Sequence, residues 1–177
     1  IREASERGII ARIFRPGNIT GHSETGYCVP EYNHTLLKIK GFIQLGQAYY
    51  DDEEVLDMMP VDLVAHNLVS NTLKQQAKFE FNLDNTTKIK MSDYVQAYRN
   101  HQYDIERIDS IDKWRQILMK IKENNALFVL RAFYDQDHRH HESQSSLSSG
   151  GAESSDYDYL PMIAKQIEYL QATGFIA

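Results

Sequence analysis

The sequence predicts an α/β fold in which about two strands contribute to an incomplete parallel sheet and the rest is largely helical. Three observations carry this. Residues 9–14 are an apolar, β-branched run bounded by Gly8 and by Pro16-Gly17, the pattern of a strand buried on both faces. Phe79, Phe81 and Leu83 alternate with Glu80 and Asn82, which marks a second strand. Between and after them lie stretches with apolar residues at helical spacing, so strands are separated by helices. Two strands make a poor sheet alone, and these are expected to complete a sheet supplied by sequence before Ile1.

Each element follows in order. Residues 1–8 read as the last turns of a helix closed by Gly8. Residues 15–31, rich in Gly, Ser and Thr, are expected as a long loop. Residues 32–45 carry Leu36, Leu37, Ile39, Phe42, Ile43 and Leu45 in a helical pattern that Gly46 ends. Residues 49–54 are acidic and read as a surface connection. Val61, Val64, Ala65, Leu68, Val69 and Thr72 share one helical face, with Asp62 as the expected N-cap. Residues 84–87 form a turn, and Ser92 then caps a helix bearing Tyr94, Val95 and Tyr98. Residues 103–108 alternate weakly as a strand. Asp109 or Ser110 opens a helix with Ile111, Trp114, Ile117, Leu118 and Ile121 in register. Residues 126–134 are almost wholly apolar and read as a buried helix. Residues 135–158 are polar, without periodicity, and expected to be a mobile loop. A last helix over 160–172 puts Ile163, Ile167 and Leu170 on its inner face, with Gly174 at its end.

Composition narrows the function classes. The chain has 177 residues, ample for one core, with 42% hydrophobic residues and a net charge of -6. It carries no basic block or basic-aromatic stripe, which argues against a nucleic-acid partner. One cysteine, Cys28, excludes an internal disulfide and fits a reducing, cytoplasmic setting. No apolar run approaches the roughly 20 residues of a membrane span.

The chemistry-bearing residues concentrate early. Arg15-Pro16-Gly17 stands at the end of a predicted strand, and open α/β sheets bind ligands beyond the carboxyl ends of their strands. Spacing alone leaves a ligand contact and a simple strand-ending turn both open. Residues 21–26 either line a substrate channel or form a surface loop. His22 and Ser23 with Glu24 are sequence neighbours, whereas a hydrolytic triad needs separated residues brought together. Cys28 with His34 is weaker still as a nucleophile pair. His138, His140 and His141 sit in Ser/Gly-rich sequence with no carboxylate or cysteine at ligand spacing, so no metal site is expected.

Four pieces in order complete the pattern: Arg15-Pro16-Gly17, Gly21-x-Ser23-x-Thr25-Gly26, Lys40-Gly41-x-x-Gln44-Leu45-Gly46 and Pro60-Val61-Asp62. Together they resemble the C-terminal half of the thioester reductase domains that terminate nonribosomal peptide synthetases, which are extended short-chain dehydrogenase/reductases. Pro60-Val61-Asp62 also occurs loosely in nucleotide-sugar epimerases; the Lys-Gly-x-x-Gln-Leu-Gly piece favours peptide synthetase reductases and α-aminoadipate reductases. Trp114 resembles the tryptophan of the family's C-terminal helical region, and residues 79–83 its last main strand. Residues 28–32 depart from an Asn-Thr-Asp-Asp-like run of many relatives, which bears on substrate preference.

The resemblance implies a Rossmann-like domain whose substrate-side part is this chain. The NADPH-binding half, with the catalytic tyrosine, lysine and Ser/Thr, is expected upstream of Ile1. Indeed none of the eleven tyrosines has a lysine four positions later, and no G-x-G-x-x-G turn is present. Pro16, Gly17, Asn18, Ile19 and Thr20 are then the expected cofactor contacts. His22, Ser23, Lys40 and Gln44 are the expected substrate contacts, although for Lys40 and Gln44 a solvated helix face is an equal reading. The expected reaction is NADPH-dependent release of a peptidyl or acyl thioester, held on a carrier's phosphopantetheine, as aldehyde or alcohol. The chain alone is expected to be inactive. The alternatives are a carboxylic acid, fatty acyl or α-aminoadipate reductase, an epimerase-like enzyme, or a non-catalytic module that docks a carrier.

Overall fold

The computed structural model describes residues 1–74, 79–83, 87–131 and 157–177. Helix α1 (Arg2–Glu6) ends, as expected, just before Gly8. Strand β1 (Ile13–Pro16) begins later than the apolar run predicts, and Ile9 and Ile10 are 59% and 95% exposed. Its parallel partner is β6 (Glu80–Leu83), with Phe14 opposite Phe81 and their rings stacked at 5.0 Å. Among the described residues that sheet has two strands, so Ile9 and Ile10 find no neighbour to bury against.

The loop expected over 15–31 instead contains a short strand, β2 (Asn18–Thr20), parallel to β5 (Met58–Pro60). Tertiary pairing overrides a local sequence that favours turns. Helix α2 (His34–Leu45) is capped by Asn33, whose side chain accepts from the Leu36 amide at 3.1 Å, and it ends at Gly46. Two further pairings are short: β3 (Gln47–Ala48) lies parallel to β8 (Glu106–Arg107), and β4 (Val55–Leu56) antiparallel to β7 (Ile89–Lys90). The acidic connection over 49–54 is less superficial than expected, since Tyr50 is buried with the Arg107 guanidinium 5.0 Å above its ring.

Helix α3 (Val61–Leu73) starts where predicted, but Asp62 does not cap it; the N-cap position is Pro60, without a side-chain cap. Of the predicted apolar face only Val64 is buried, while Val61, Ala65, Leu68, Val69 and Thr72 are exposed. Its last carbonyls, those of Asn71 and Thr72, and that of Lys74 accept from the Arg12 guanidinium, which fixes α3 beside β1. Helix α4 (Met91–Asn100) has Lys90, not Ser92, at its N-cap. Helix α5 (Ile111–Lys120) is capped by Ser110 and buries Trp114 and Leu118. The buried helix expected from residue 126 is a 3-10 turn, Ala126–Leu130, that buries Leu127 and Leu130 and leaves Val129 64% exposed. Helix α6 (Tyr159–Ala172) is capped by Asp158 and turns Met162, Ile163, Ile167 and Leu170 inward. Most of the stretch expected to be mobile, with its three histidines, lies outside the described residues, as do positions 84–86 of the predicted turn.

Two cores result. The larger joins α2, α4, α5, the 3-10 turn and α6 around Phe42, Tyr94, Tyr98, Trp114, Met162 and Leu170. The smaller holds Met59, Val64, Phe81 and Leu83 with Phe14 and Leu63 against them. The helical pattern in the sequence builds the first, and the β1–β6 pairing with α3 builds the second. The candidate site lies where their chain segments meet.

Candidate functional site at the strand ends

Strands β1, β2 and β5 run parallel to their partners, and the motifs expected to act leave their carboxyl ends. Gly17 follows β1, and its amide donates to the Leu83 carbonyl at 3.4 Å. A Cβ at Gly17 would stand 2.9 Å from Asp57 Oδ2, so the backbone here approaches a carboxylate that Lys88 pairs at 2.6 Å. Asn18 donates its backbone amide to the Asp57 carbonyl (3.1 Å) and its side-chain amide to Thr35 Oγ1 (2.9 Å). Pro16, Asn18 and Ile19 are exposed, and the Ile19 carbonyl accepts from Asn33 Nδ2 at 3.3 Å. Thr20, 7% exposed, carries a buried hydroxyl for which the described residues provide no partner. The five expected cofactor contacts therefore form one continuous strip, held from below by Asp57, Asn33 and Thr35.

Next comes the tight loop 21–26. The His22 amide donates to the Tyr27 carbonyl and the Gly26 amide to the His22 carbonyl, both at 2.9 Å. Gly26 has φ of 69° and lies so near α6 that a Cβ there would be 2.2 Å from the Lys165 carbonyl oxygen. Ser23 is the anchor. Its amide donates to Asp62 Oδ1 at 2.8 Å and its hydroxyl to Asp62 Oδ2 at 2.6 Å. Burial works to raise the Asp62 pKa, but the two Ser23 hydrogen bonds, with a backbone hydrogen bond at Asp62 and the nearby His22, together hold the carboxyl below the usual carboxylate range. Burial pushes the Tyr157 phenol up, with Ser23 beside it working against that shift. The Tyr159 hydroxyl donates to the Met58 carbonyl, so the start of α6 is tied to both the loop and β5.

This geometry removes two nucleophile readings. His22 Nδ1 accepts from the Glu24 amide at 3.2 Å, while the Ser23 hydroxyl is spent on Asp62, so the two form no charge-relay pair. Burial pushes the Cys28 thiol up to about 11, which keeps it protonated at neutral pH. Among the described residues no group of three His, Cys, Asp or Glu is arranged to hold a metal.

Lys40 and Gln44 are brought elsewhere. Lys40 Nζ sits 4.1 Å from the Phe175 ring centroid. Gln44 accepts from the Ala126 amide at 2.7 Å and donates to the Asn124 carbonyl at 3.3 Å. From Thr35, beside the strip, the rise of α2 carries Lys40 about 7 Å and Gln44 about 13 Å along the axis. Gln44 lines a separate open groove of about 530 Å³ with Ile117, Lys120 and Lys122, none of them residues of the loop. Within the same motif, a Cβ at Gly41 would stand 2.3 Å from Leu127 Cγ, so Lys40-Gly41-x-x-Gln44-Leu45-Gly46 packs α2 onto the 3-10 turn. Of the expected substrate contacts, His22 and Ser23 thus lie in the loop at the strand ends, whereas Lys40 lies against Phe175 and Gln44 against the 3-10 turn.

Sequence reasoning did not single out Asn33, Thr35 or Tyr157. Asn33 had a readable signal, an Asn just before an apolar helical run. The others have none, because their roles depend on pairing between segments distant in sequence.

Comparison with known proteins places this geometry. A family model described as male sterility protein, an NAD-binding family, matches residues 1–68. The L-2-aminoadipate reductase of Saccharomyces cerevisiae is 35% identical over 137 residues, covering 73% of this chain and 10% of that protein. A linear gramicidin synthase of Brevibacillus parabrevis is 34% identical over 113 residues, covering 63% of this chain and 2% of that protein. The chain thus spans a tenth or less of the length of these relatives. Among solved structures, the terminal R domain of the myxalamid PKS-NRPS pathway overlays 99% of this chain with 47% of its own, at a TM-score of 0.78 and 23% identity. A thiolation-reductase di-domain from an archaeal nonribosomal peptide synthetase covers 98% of this chain with 38% of its own, at a TM-score of 0.75 and 22% identity. In sequence the chain is thus similar to the male sterility NAD-binding family and to L-2-aminoadipate reductase, and in fold it matches the terminal reductase domains of nonribosomal peptide synthetases.

Proposed function

We propose that this chain is the C-terminal, substrate-side part of an NADPH-dependent reductase domain that releases a carrier-bound peptidyl or acyl thioester as aldehyde or alcohol. The observation that carries the reading is the paired strip and loop at the ends of β1, β2 and β5, held by Asp57 and Asp62. The residues present suit a nicotinamide. Pro16, Asn18 and Ile19 offer an exposed edge at a strand end, and the Thr20 hydroxyl there is buried without a partner among the described residues. When bound, the cofactor supplies a hydride to the thioester carbonyl. The work of this chain is to orient: residues 16–20 form one wall for the nicotinamide, and His22 and Ser23 shape the approach of the acyl group.

The NADPH-binding half belongs on the sheet edge and on the exposed side of α3. Ile9, Ile10, Val61, Leu68, Val69 and Leu73 are exposed there, a set that a completed sheet and its helices would bury. The partner is a carrier protein bearing a phosphopantetheine thioester, and the setting is the cytoplasm. No helix among the described residues is long and apolar enough to cross a membrane.

The test uses the full-length protein and follows NADPH oxidation with acyl-pantetheine and acyl-carrier thioesters, with product analysis. Thioester-dependent oxidation yielding aldehyde or alcohol is expected. Turnover of a nucleotide-sugar with no thioester activity would overturn the reading. Carrier binding without any turnover would favour a docking module instead.

A further inference from the structure

One buried polar side chain joins the substrate-side loop to the far end of the sequence. Gln166 is 0% exposed, on a face of α6 otherwise formed by Met162, Ile163, Ile167 and Leu170. Its Oε1 accepts from the Tyr94 hydroxyl at 3.2 Å, and that hydroxyl lies 3.3 Å from the hydroxyl of Tyr98. Its Nε2 is buried with no hydrogen-bond partner among the described residues, and a Cβ at Gly21 would stand 3.1 Å from it. On either side of this contact the same loop is met again. Tyr157, just before α6, lies beside Ser23, and Tyr169 of α6 meets the ring of Tyr27 edge-on at 5.4 Å. A polar amide on an apolar helix face is held by its partners, and it fixes them in turn.

We propose that Gln166 is a positioning residue for the substrate-side loop: braced by Tyr94, it holds residues 21–28 in the shape that the acyl thioester meets. The proposal rests on the thioester reductase reading and adds to it a determinant of acyl binding outside the motifs. Gln166 touches the loop rather than the substrate, so its removal is felt in thioester binding and not in the cofactor or the chemical step.

The experiment compares wild type, Gln166→Leu and Tyr94→Phe in the full-length protein. Gln166→Leu is expected to raise KM for an acyl-pantetheine thioester by roughly 10-fold, with kcat and KM for NADPH within about 2-fold. Tyr94→Phe keeps the glutamine but removes its brace, and a smaller shift in the same direction is expected. Amide hydrogen exchange over residues 21–28 is expected to quicken in both, ahead of exchange in the α2 core. An unchanged thioester KM in both variants overturns the proposal, as does a uniform change in kcat and both KM values. If Gln166→Leu does not fold, Tyr94→Phe decides alone. If wild type turns over no thioester, the reductase reading fails, and hydrogen exchange then decides whether Gln166 holds the loop; unchanged exchange overturns it.

Discussion

Gly17→Ala tests the contact that supports the cofactor strip. The backbone at Gly17 does not have a positive φ, so alanine is compatible with it, and by itself the replacement stabilises by about 0.4–1 kcal/mol through the unfolded chain. Its Cβ, however, would stand 2.9 Å from Asp57 Oδ2 and 3.0 Å from Asp57 Cγ. The carboxylate must rotate away, at about 0.5–1.5 kcal/mol for an off-rotamer side chain. It also leaves the half-exposed Lys88 pair, worth about 0.2–1 kcal/mol at such a site. The net is a destabilisation of about 1 kcal/mol. In an Asp57→Ala background the obstacle is gone, and the same replacement should stabilise by about 0.4–1 kcal/mol. Denaturant unfolding of the four proteins of this double-mutant cycle measures the coupling, expected at about 1.5 kcal/mol with a change of sign. Additive effects, or a Gly17→Ala that destabilises equally without Asp57, would refute the contact as the reason for glycine at this position.

Further outcomes follow from the same geometry. Asp62 has its pKa lowered in the folded state, so its contribution is present above the unfolded value of about 4 and is lost as pH falls through the folded one. Asp62→Asn should therefore destabilise near neutrality and converge with wild type in acid; a constant offset in midpoint between pH 3 and 7 would contradict this. Trp114→Ala should cost about 3–5 kcal/mol in denaturant unfolding, because the fully buried indole meets both Phe42 and Tyr49; a cost below 1 kcal/mol would place the larger core elsewhere. Lys40→Met should lose about 0.5–1 kcal/mol of cation–π contact with Phe175 and leave the thioester KM of the full-length protein unchanged; a several-fold rise in KM would return Lys40 to the substrate channel.

The sequence alone determined the elements that local periodicity and caps encode. The inward face of α6 is legible at Ile163, Ile167 and Leu170, and that of α5 at Trp114 and Leu118. The alternation at Phe81 and Leu83 and the stop at Gly46 are equally local signals. The motif order from Arg15 to Asp62 carried the family resemblance, since the backbone path at strand ends constrains residue types there. Tertiary structure decided what those motifs do. Strand β2 exists because residues 58–60 offer it a partner, against the turn preference of its own residues. Asp62 leaves the cap role because the Ser23 amide and hydroxyl, brought alongside it, bond both its oxygens. Gln44 and Lys40 share a motif with the site but face the 3-10 turn and Phe175, since helical rise and rotation carry them away from the strand ends. Gln166 reads locally as one polar break in an apolar stripe. Its neighbours, Tyr94 and Gly21, lie far off in the chain, and only folding puts them within hydrogen-bond and packing distance.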